Sequence, residues 1–119
     1  MHTDPSPSRR RLFRGSLEVV VLALLADGRA YGYALRQQIE QQTGQPLPFG
    51  TLYPLLHRFE TQGWITATID TSGKRPRKYY ELTPAGRASL RKAAADWQAY
   101  LARLQATVLP AVRRIAARG

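Results

Sequence analysis

The 119-residue sequence contains no cysteine. Disulfides and thiolate chemistry are excluded, and a zinc site would have to be built from His2, His57 and carboxylates. Those two histidines lie far apart without metal-ligand spacing, so no metal and no other cofactor is expected. Acidic residues are scarce, 8 against 18 basic ones, and they are scattered singly rather than paired for acid–base work. A glycine-rich phosphate loop and a Ser-His-Asp arrangement are also missing, which leaves nothing on which to base an enzyme. Long apolar runs are absent too. LEVVVLALLA (17–26) is the longest, short of the ~18 residues of a membrane span. It contains Glu18 and is bounded by Gly15-Ser16 and Asp27-Gly28, so it reads as a buried helix. The opening MHTDPSPSRRRLFRG has no apolar segment of signal-peptide type. The expectation is a cytoplasmic protein with no membrane partner.

What is abundant is positive charge. The formal net charge is +10 and the isoelectric point is near 10.9, values that attract polyanions, nucleic acid first among them. The length suits one domain with one appended element. Such a chain buries roughly two thirds of its unfolded surface, enough for a core without staples.

Along the chain, residues 1–9 are rich in Pro and Ser and read as disordered, followed by a basic arm of Arg9, Arg10, Arg11 and Arg14. Ser16 suits the N-cap of a first helix over about 17–26, with Gly28 closing it. YGYALRQQIEQQTG (31–44) places Tyr31, Leu35 and Ile39 on one stripe and ends at Gly44, which predicts a second helix. In PFGTLYPLLHRFETQGWI (48–65), Leu52, Leu55, Leu56 and Phe59 follow the i, i+3, i+4, i+7 spacing of a third half-buried helix. ITATID (65–70) then alternates Ile65, Ala67 and Ile69 against polar residues, as a strand does. KYYEL (78–82) reads as its partner across the turn TSGKRPR, and the tip of the resulting hairpin holds Lys74, Arg75, Arg77 and Lys78. Thr83-Pro84 pairs an N-cap with proline at the first helical position. In the helix that follows, Leu90, Ala94, Trp97, Leu101, Leu104 and Val108 form a heptad seam. The seam can bury itself against a second copy of the chain, against the first helix, or both; a homodimer is the favoured outcome for so long a helix. Pro110 is expected to kink or stop it.

The fold class that follows is mainly α with a small β-hairpin: a winged helix-turn-helix (15–82), preceded by a flexible basic arm (1–14) and followed by a long C-terminal dimerisation helix with a basic tail (83–119). At 100° per residue the third helix turns Gly50, Pro54, His57, Arg58 and Thr61 away from its apolar side, with Thr51 and Tyr53 on the flanks. Pro54 has two explanations. Either Thr51 caps the helix, so that Pro54 falls in the first turn where its missing N–H is not needed, or the helix starts earlier and Gly50, four residues back, gives its carbonyl room to tilt. A recognition helix enters the major groove by its N-terminal end, where small residues permit close approach. Thr51 and Tyr53 can donate to phosphates or base edges, and His57 or Arg58 can reach a guanine or a phosphate. Each also has a plainer reading: Thr51 as an N-cap, Tyr53 as cover for the core edge, His57 as a surface residue, the hairpin cations as a solvated loop. Four cations crowded at one tip repel each other, which favours a phosphate-binding role.

YGYAL, FGTLYPLLHRFETQGWI and RKYYELTPAG, in this order and spacing, resemble the PadR family of bacterial transcription regulators over about residues 15–100. The resemblance implies a homodimeric winged-helix repressor on pseudo-palindromic double-stranded DNA, located at the nucleoid, with a C-terminal helix that builds the dimer. It implies DNA-facing positions at Tyr31 in helix 2, at Thr51 and Tyr53 in helix 3, and at the wing cations. Ala34 stands where an acidic residue is common in that motif, and Phe59 where leucine is usual. The single C-terminal helix matches short-tailed members, some of which hold flat aromatic effectors between protomers. Trp97 and Tyr100 are the candidate effector-binding residues, with plain interface core as the other role of Trp97. A winged-helix adaptor that binds proteins instead of DNA is the alternative, and four wing cations argue against it. RNA binding would call for a multi-aromatic stacking platform that the sequence lacks.

Overall fold

A computed structural model describes residues 6–119. The N-terminal part of the expected disordered segment, including His2, lies outside the described residues. From Pro7 onward the expectation of a flexible arm is overturned, because helix α1 runs Pro7–Ala26. The Pro/Ser-rich segment supplies the helix start: Ser6 is the N-cap, its hydroxyl accepting from the Arg9 N–H at 3.2 Å, and Pro7 takes the first helical position. Ser16 is therefore not a cap. It sits inside the helix and its hydroxyl donates to the Phe13 carbonyl at 3.1 Å. Asp27 is the C-cap, and Gly28 leaves at φ 153°, a region closed to other residues.

Strand β1 (Ala30–Tyr31) follows, then α2 (Gly32–Thr43), α3 (Phe49–Thr61), β2 (Ile65–Asp70), β3 (Arg77–Leu82) and α4 (Pro84–Arg118). Tyr31, expected in helix 2, is thus a strand residue and the N-cap of α2. The expected hairpin gains a third strand: the sheet is antiparallel throughout, in the order β1-β3-β2. Ile65 pairs with Leu82 and Asp70 with Arg77 at the two ends of the hairpin, and Tyr31 pairs with Tyr79. Ile65 points into the core and Ala67 is half-buried, but Ile69 is 56% exposed because the hairpin extends past the helices.

The core joins Leu17, Val21, Leu22 and Leu25 of α1 to Leu35 and Ile39 of α2, Leu52, Leu56 and Phe59 of α3, and Ile65, Tyr80 and Leu82 of the sheet. Burying an aromatic such as Phe59 contributes about 1.5–3 kcal/mol. The turn between α2 and α3 is fastened through Leu47. Its side chain is buried, its N–H donates to Glu40 at 2.6 Å, and its carbonyl accepts from Arg36 Nε at 2.7 Å. Gly44 ends α2 at φ 69°. Because α3 begins at Phe49, Thr51 is not its cap and Pro54 lies in its interior, so the second explanation of Pro54 holds: four residues back is Gly50, whose missing side chain gives the carbonyl room.

Thr83 caps α4 by accepting from the Gly86 N–H at 3.0 Å. At ~1.5 Å per residue the 35 residues of α4 span about 52 Å, most of the longest dimension of 64 Å. Pro110 neither stops nor ends the helix, which continues to Arg118. The carbonyl it leaves unbonded is that of Ala106, on an exposed turn where solvent can take its place. The seam divides along its length. Leu90 packs on the core and Trp97 is half-buried beside α1, so its first part covers the chain's own domain. Ala94, Leu101 and Val108 are exposed, and beyond Pro110 the same stripe continues through Val112 and Ile115.

Candidate nucleic-acid interface

The outer side of α3 and the inner edge of the hairpin face each other across a groove of about 800 Å³. Tyr31 and Tyr33 line it at one end, Tyr53 and His57 come from α3, and Arg77 and Lys78 come from β3. Tyr53 is held in place by stacking on Phe49, with ring centroids 5.1 Å apart. The Arg36 guanidinium lies 4.5 Å from the Phe49 ring on the α2 side. Glu60 reaches both walls: its carboxylate is 3.9 Å from His57 and 3.7 Å from Lys78. Tyr80 closes the floor, and its hydroxyl is raised above the ordinary tyrosine range by burial and then by the Glu60 charge.

Gly50 and Thr51 are exposed at the start of α3, and nothing lies within 4 Å of where a Gly50 side chain would project. Thr51 and Arg58 are on the other flank of the helix from Tyr53. There they share a second groove with Arg14, Glu18, Pro54 and Leu55. Arg58 forms an ion pair with Glu18 of α1, so in the free protein its guanidinium is already engaged. Lys74 and Arg75 stand at the exposed hairpin tip, outside both grooves. The expected residues therefore divide into three neighbouring groups instead of forming one patch.

The hairpin is anchored by a layered stack. Arg29 lies 4.3 Å from the ring of Tyr79, Tyr79 stacks on Tyr31 at 4.1 Å, and Arg77 lies 5.0 Å beyond Tyr31. The two hydroxyls are 2.5 Å apart, and the Tyr31 hydroxyl is 3.2 Å from the Asp70 carboxylate. A hydroxyl has one proton to give. With Tyr31 donating to Asp70, the proton between the two tyrosines comes from Tyr79. That bond is the main reason the Tyr79 hydroxyl is pushed up to about 12, followed by burial and the nearby Tyr31 and Asp70 charges. Asp70 is held below the usual carboxylate range, chiefly by the Ser72 N–H, which donates to it at 3.0 Å, and by the Ser72 hydroxyl, with the tyrosines adding less. The Tyr31 hydroxyl is thus committed to holding the wing, and only its half-buried ring faces the groove.

Sequence reasoning missed Tyr33, Glu60, Tyr79 and Arg14 as neighbours of this surface. Tyr33 had a local signal, since it is two residues beyond Tyr31 on an amphipathic helix. Tyr79 had none, because its partner lies 48 residues away.

Comparison with known proteins agrees with this architecture. Residues 21–92 match the transcriptional regulator PadR-like family. A transcriptional regulator of Mycobacterium tuberculosis is 36% identical over 81 residues, covering 68% of this chain and 75% of the relative. The crystal structure of a PadR family transcriptional regulator from Eggerthella lenta is 39% identical, with a TM-score of 0.72 over 79% of this chain and 82% of that one. A transcriptional regulator from Clostridium thermocellum has a TM-score of 0.74 at 27% identity, covering 82% of this chain and 98% of that one. With a winged helix whose exposed helix and basic hairpin share one groove, and with this match over most of its length, the chain belongs to the PadR-like family of DNA-binding transcriptional regulators.

Proposed function

We propose that the protein is a repressor that binds a pseudo-palindromic operator as a homodimer. The observation that carries this reading is the groove between α3 and β3, in which Tyr53 and His57 face Arg77 and Lys78. The N-terminal end of α3, with Gly50, Thr51 and Tyr53, enters the major groove. The wing, with Lys74, Arg75, Arg77 and Lys78, grips the flanking phosphates. Arg58 reaches a phosphate or base by exchanging its bond to Glu18, and His57 lies close enough to read a base edge. Occupancy of the operator is itself the output, since DNA held in this way is closed to other proteins.

The exposed stripe of α4 supports the dimer. Leu101, Val108, Val112 and Ile115 are uncovered on one side of a helix that has left its own domain behind, and a second copy buries them with heptad geometry. Reading two successive major grooves would require the dimer to set its two α3 helices about 34 Å apart. Small-molecule control is part of the same reading. Trp97 lines a cavity of about 300 Å³ with Leu12, Phe13 and Gln45, and the Gln45 side-chain oxygen is buried without a hydrogen-bond partner. A flat aromatic molecule carrying one donor suits that lining, with the exposed Tyr100 ring three residues along α4 to cover it.

The test is fluorescence anisotropy on duplex DNA from the region upstream of the protein's own gene, against scrambled duplex of equal length, across a salt series. Wild type is expected to bind the native fragment tightly, with ~10³–10⁵-fold loss between 50 and 200 mM salt if six to ten phosphates are contacted. The R75A/R77A/K78A variant is expected to lose that binding. Equal, weak binding to both fragments that vanishes at physiological salt would overturn the reading in favour of an adaptor.

A further inference from the structure

The first turns of α1 carry Arg10, Arg11 and Arg14 on one side, while Arg9 lies on the other with the apolar Leu12 and Phe13. At 100° per residue Arg10, Arg11, Arg14 and Glu18 fall within about 100° of one another, on the sector that is buried as Val21 and Leu25 further along the helix. Before the core begins, that sector projects beside α3: Arg14 and Glu18 line one groove with Thr51, Pro54 and Arg58. Leu12 and Phe13 lie on the opposite side, in the cavity beside Trp97. This orientation keeps the arginine face turned toward α3.

The charge is also placed against local electrostatics. The first turn of α1 has no acidic residue, and arginines there face the positive end of the helix dipole. Arg10 and Arg14 are four residues apart and Arg11 and Arg14 three, spacings at which like charges repel. A polyanion lying along this face relieves both effects. Among the described residues, the groove beside α3 that this surface enters is lined by Arg14 and Arg58 against one carboxylate, that of Glu18. Thr51, at the entry of the proposed recognition helix, opens into the same groove, which makes the DNA backbone flanking the α3 major groove the fitting occupant.

We infer that Arg10, Arg11 and Arg14 of α1 form a further phosphate-binding element, gripping the DNA backbone beside α3 on the side away from the wing. The inference rests on the DNA-binding reading above. These residues precede position 21, where the family match begins.

Anisotropy with the full chain tests it, using R10Q/R11Q/R14Q, the charge-preserving R10K/R11K/R14K, and the wing variant, on native and scrambled duplex. The Gln variant should weaken on both duplexes by a similar factor. Its salt dependence should flatten by about 0.9 for each phosphate lost, up to roughly 2.7 per protomer, while the Lys variant keeps the wild-type slope. Amide hydrogen exchange gives a second readout: residues 10–16 should become protected when wild type binds DNA. An unchanged slope in the Gln variant, alongside a weakened wing variant, would overturn the inference and leave the DNA-binding reading intact. Equal losses in the Gln and Lys variants, with reduced helix content by circular dichroism, would also overturn it, because the arginines would then matter for packing. Salt-independent or absent binding by wild type would overturn both.

Discussion

Two glycines inside helices should respond in opposite directions to the same substitution. A side chain at Gly86, in the first turn of α4, would place its Cβ 2.1 Å from the Trp64 carbonyl oxygen and 2.6 Å from Leu82 Cδ1. The first neighbour is backbone and cannot rotate away. To make room α4 must lift from the start of β2 by about an ångström, the shortfall from an ordinary carbon–oxygen contact. That motion strains two hydrogen bonds, from the Thr83 N–H to the Trp64 carbonyl at 3.0 Å and from the Thr83 hydroxyl to the Gly63 carbonyl at 2.6 Å. Overpacking costs about 1–3 kcal/mol, and two weakened hydrogen bonds add about 1–3 kcal/mol. The better helix propensity of alanine returns about 1 kcal/mol. Gly86→Ala should therefore destabilise by about 1–5 kcal/mol. Gly15, in the middle of α1, has nothing within 4 Å of its missing side chain, so Gly15→Ala keeps only the propensity gain and should stabilise by about 0.5–1 kcal/mol. Urea unfolding followed by circular dichroism, at one fixed protein concentration because association shifts apparent stability, measures both. If Gly86→Ala proves as stable as wild type, or the two variants move in the same direction, then α4 does not sit on Trp64 as described.

Titration of tyrosine absorbance should show one hydroxyl ionising late, near 12. Because the folded value is raised, the stability it brings is present below the ordinary tyrosine range and is lost as pH climbs from about 10 through 12. Tyr31→Phe should return Tyr79 toward about 10, and a titration unchanged by that substitution would show that the two hydroxyls are not bonded. Asp70 behaves with the opposite sign: its lowered value contributes stability that is present above about 4 and disappears as pH falls through the folded value, so Asp70→Asn should flatten the acid side of the stability curve. Phe59→Ala, at a fully buried position, should cost about 3–5 kcal/mol in the same urea experiment. The double variant L101E/V108E should sediment as a monomer at concentrations where wild type is dimeric, with its far-ultraviolet spectrum unchanged; a wild type that is itself monomeric would remove the proposed α4 interface.

How much of this was legible in the sequence depends on how far each feature reaches along the chain. The stop at Gly44, the strands ITATID and KYYEL, the Thr83-Pro84 helix start and the apolar side of α3 are set by hydrogen bonds and side-chain periods within a few residues, so local pattern locates them. Ser6-Pro7 carries the same start signal as Thr83-Pro84. The Pro- and Ser-rich composition around it predicts disorder, whereas Phe13 further along packs this part of α1 against the core, which composition does not reveal. Other features existed only once the chain had folded. Strand β1 is two residues long, and its pairing with Tyr79 and Tyr80 gives no periodic signal. The hydrogen bond from Tyr31 to Asp70 spans 39 positions, and the ion pair that occupies Arg58 comes from a different helix. The α4 seam reads as uniform in sequence. Only the placement of α1 decides that Leu90 and Trp97 are partly covered while Leu101, Val108, Val112 and Ile115 stay open. Local forces determined most of the helices and strands, and the packing of distant side chains added β1 and decided which faces remain free to meet another molecule.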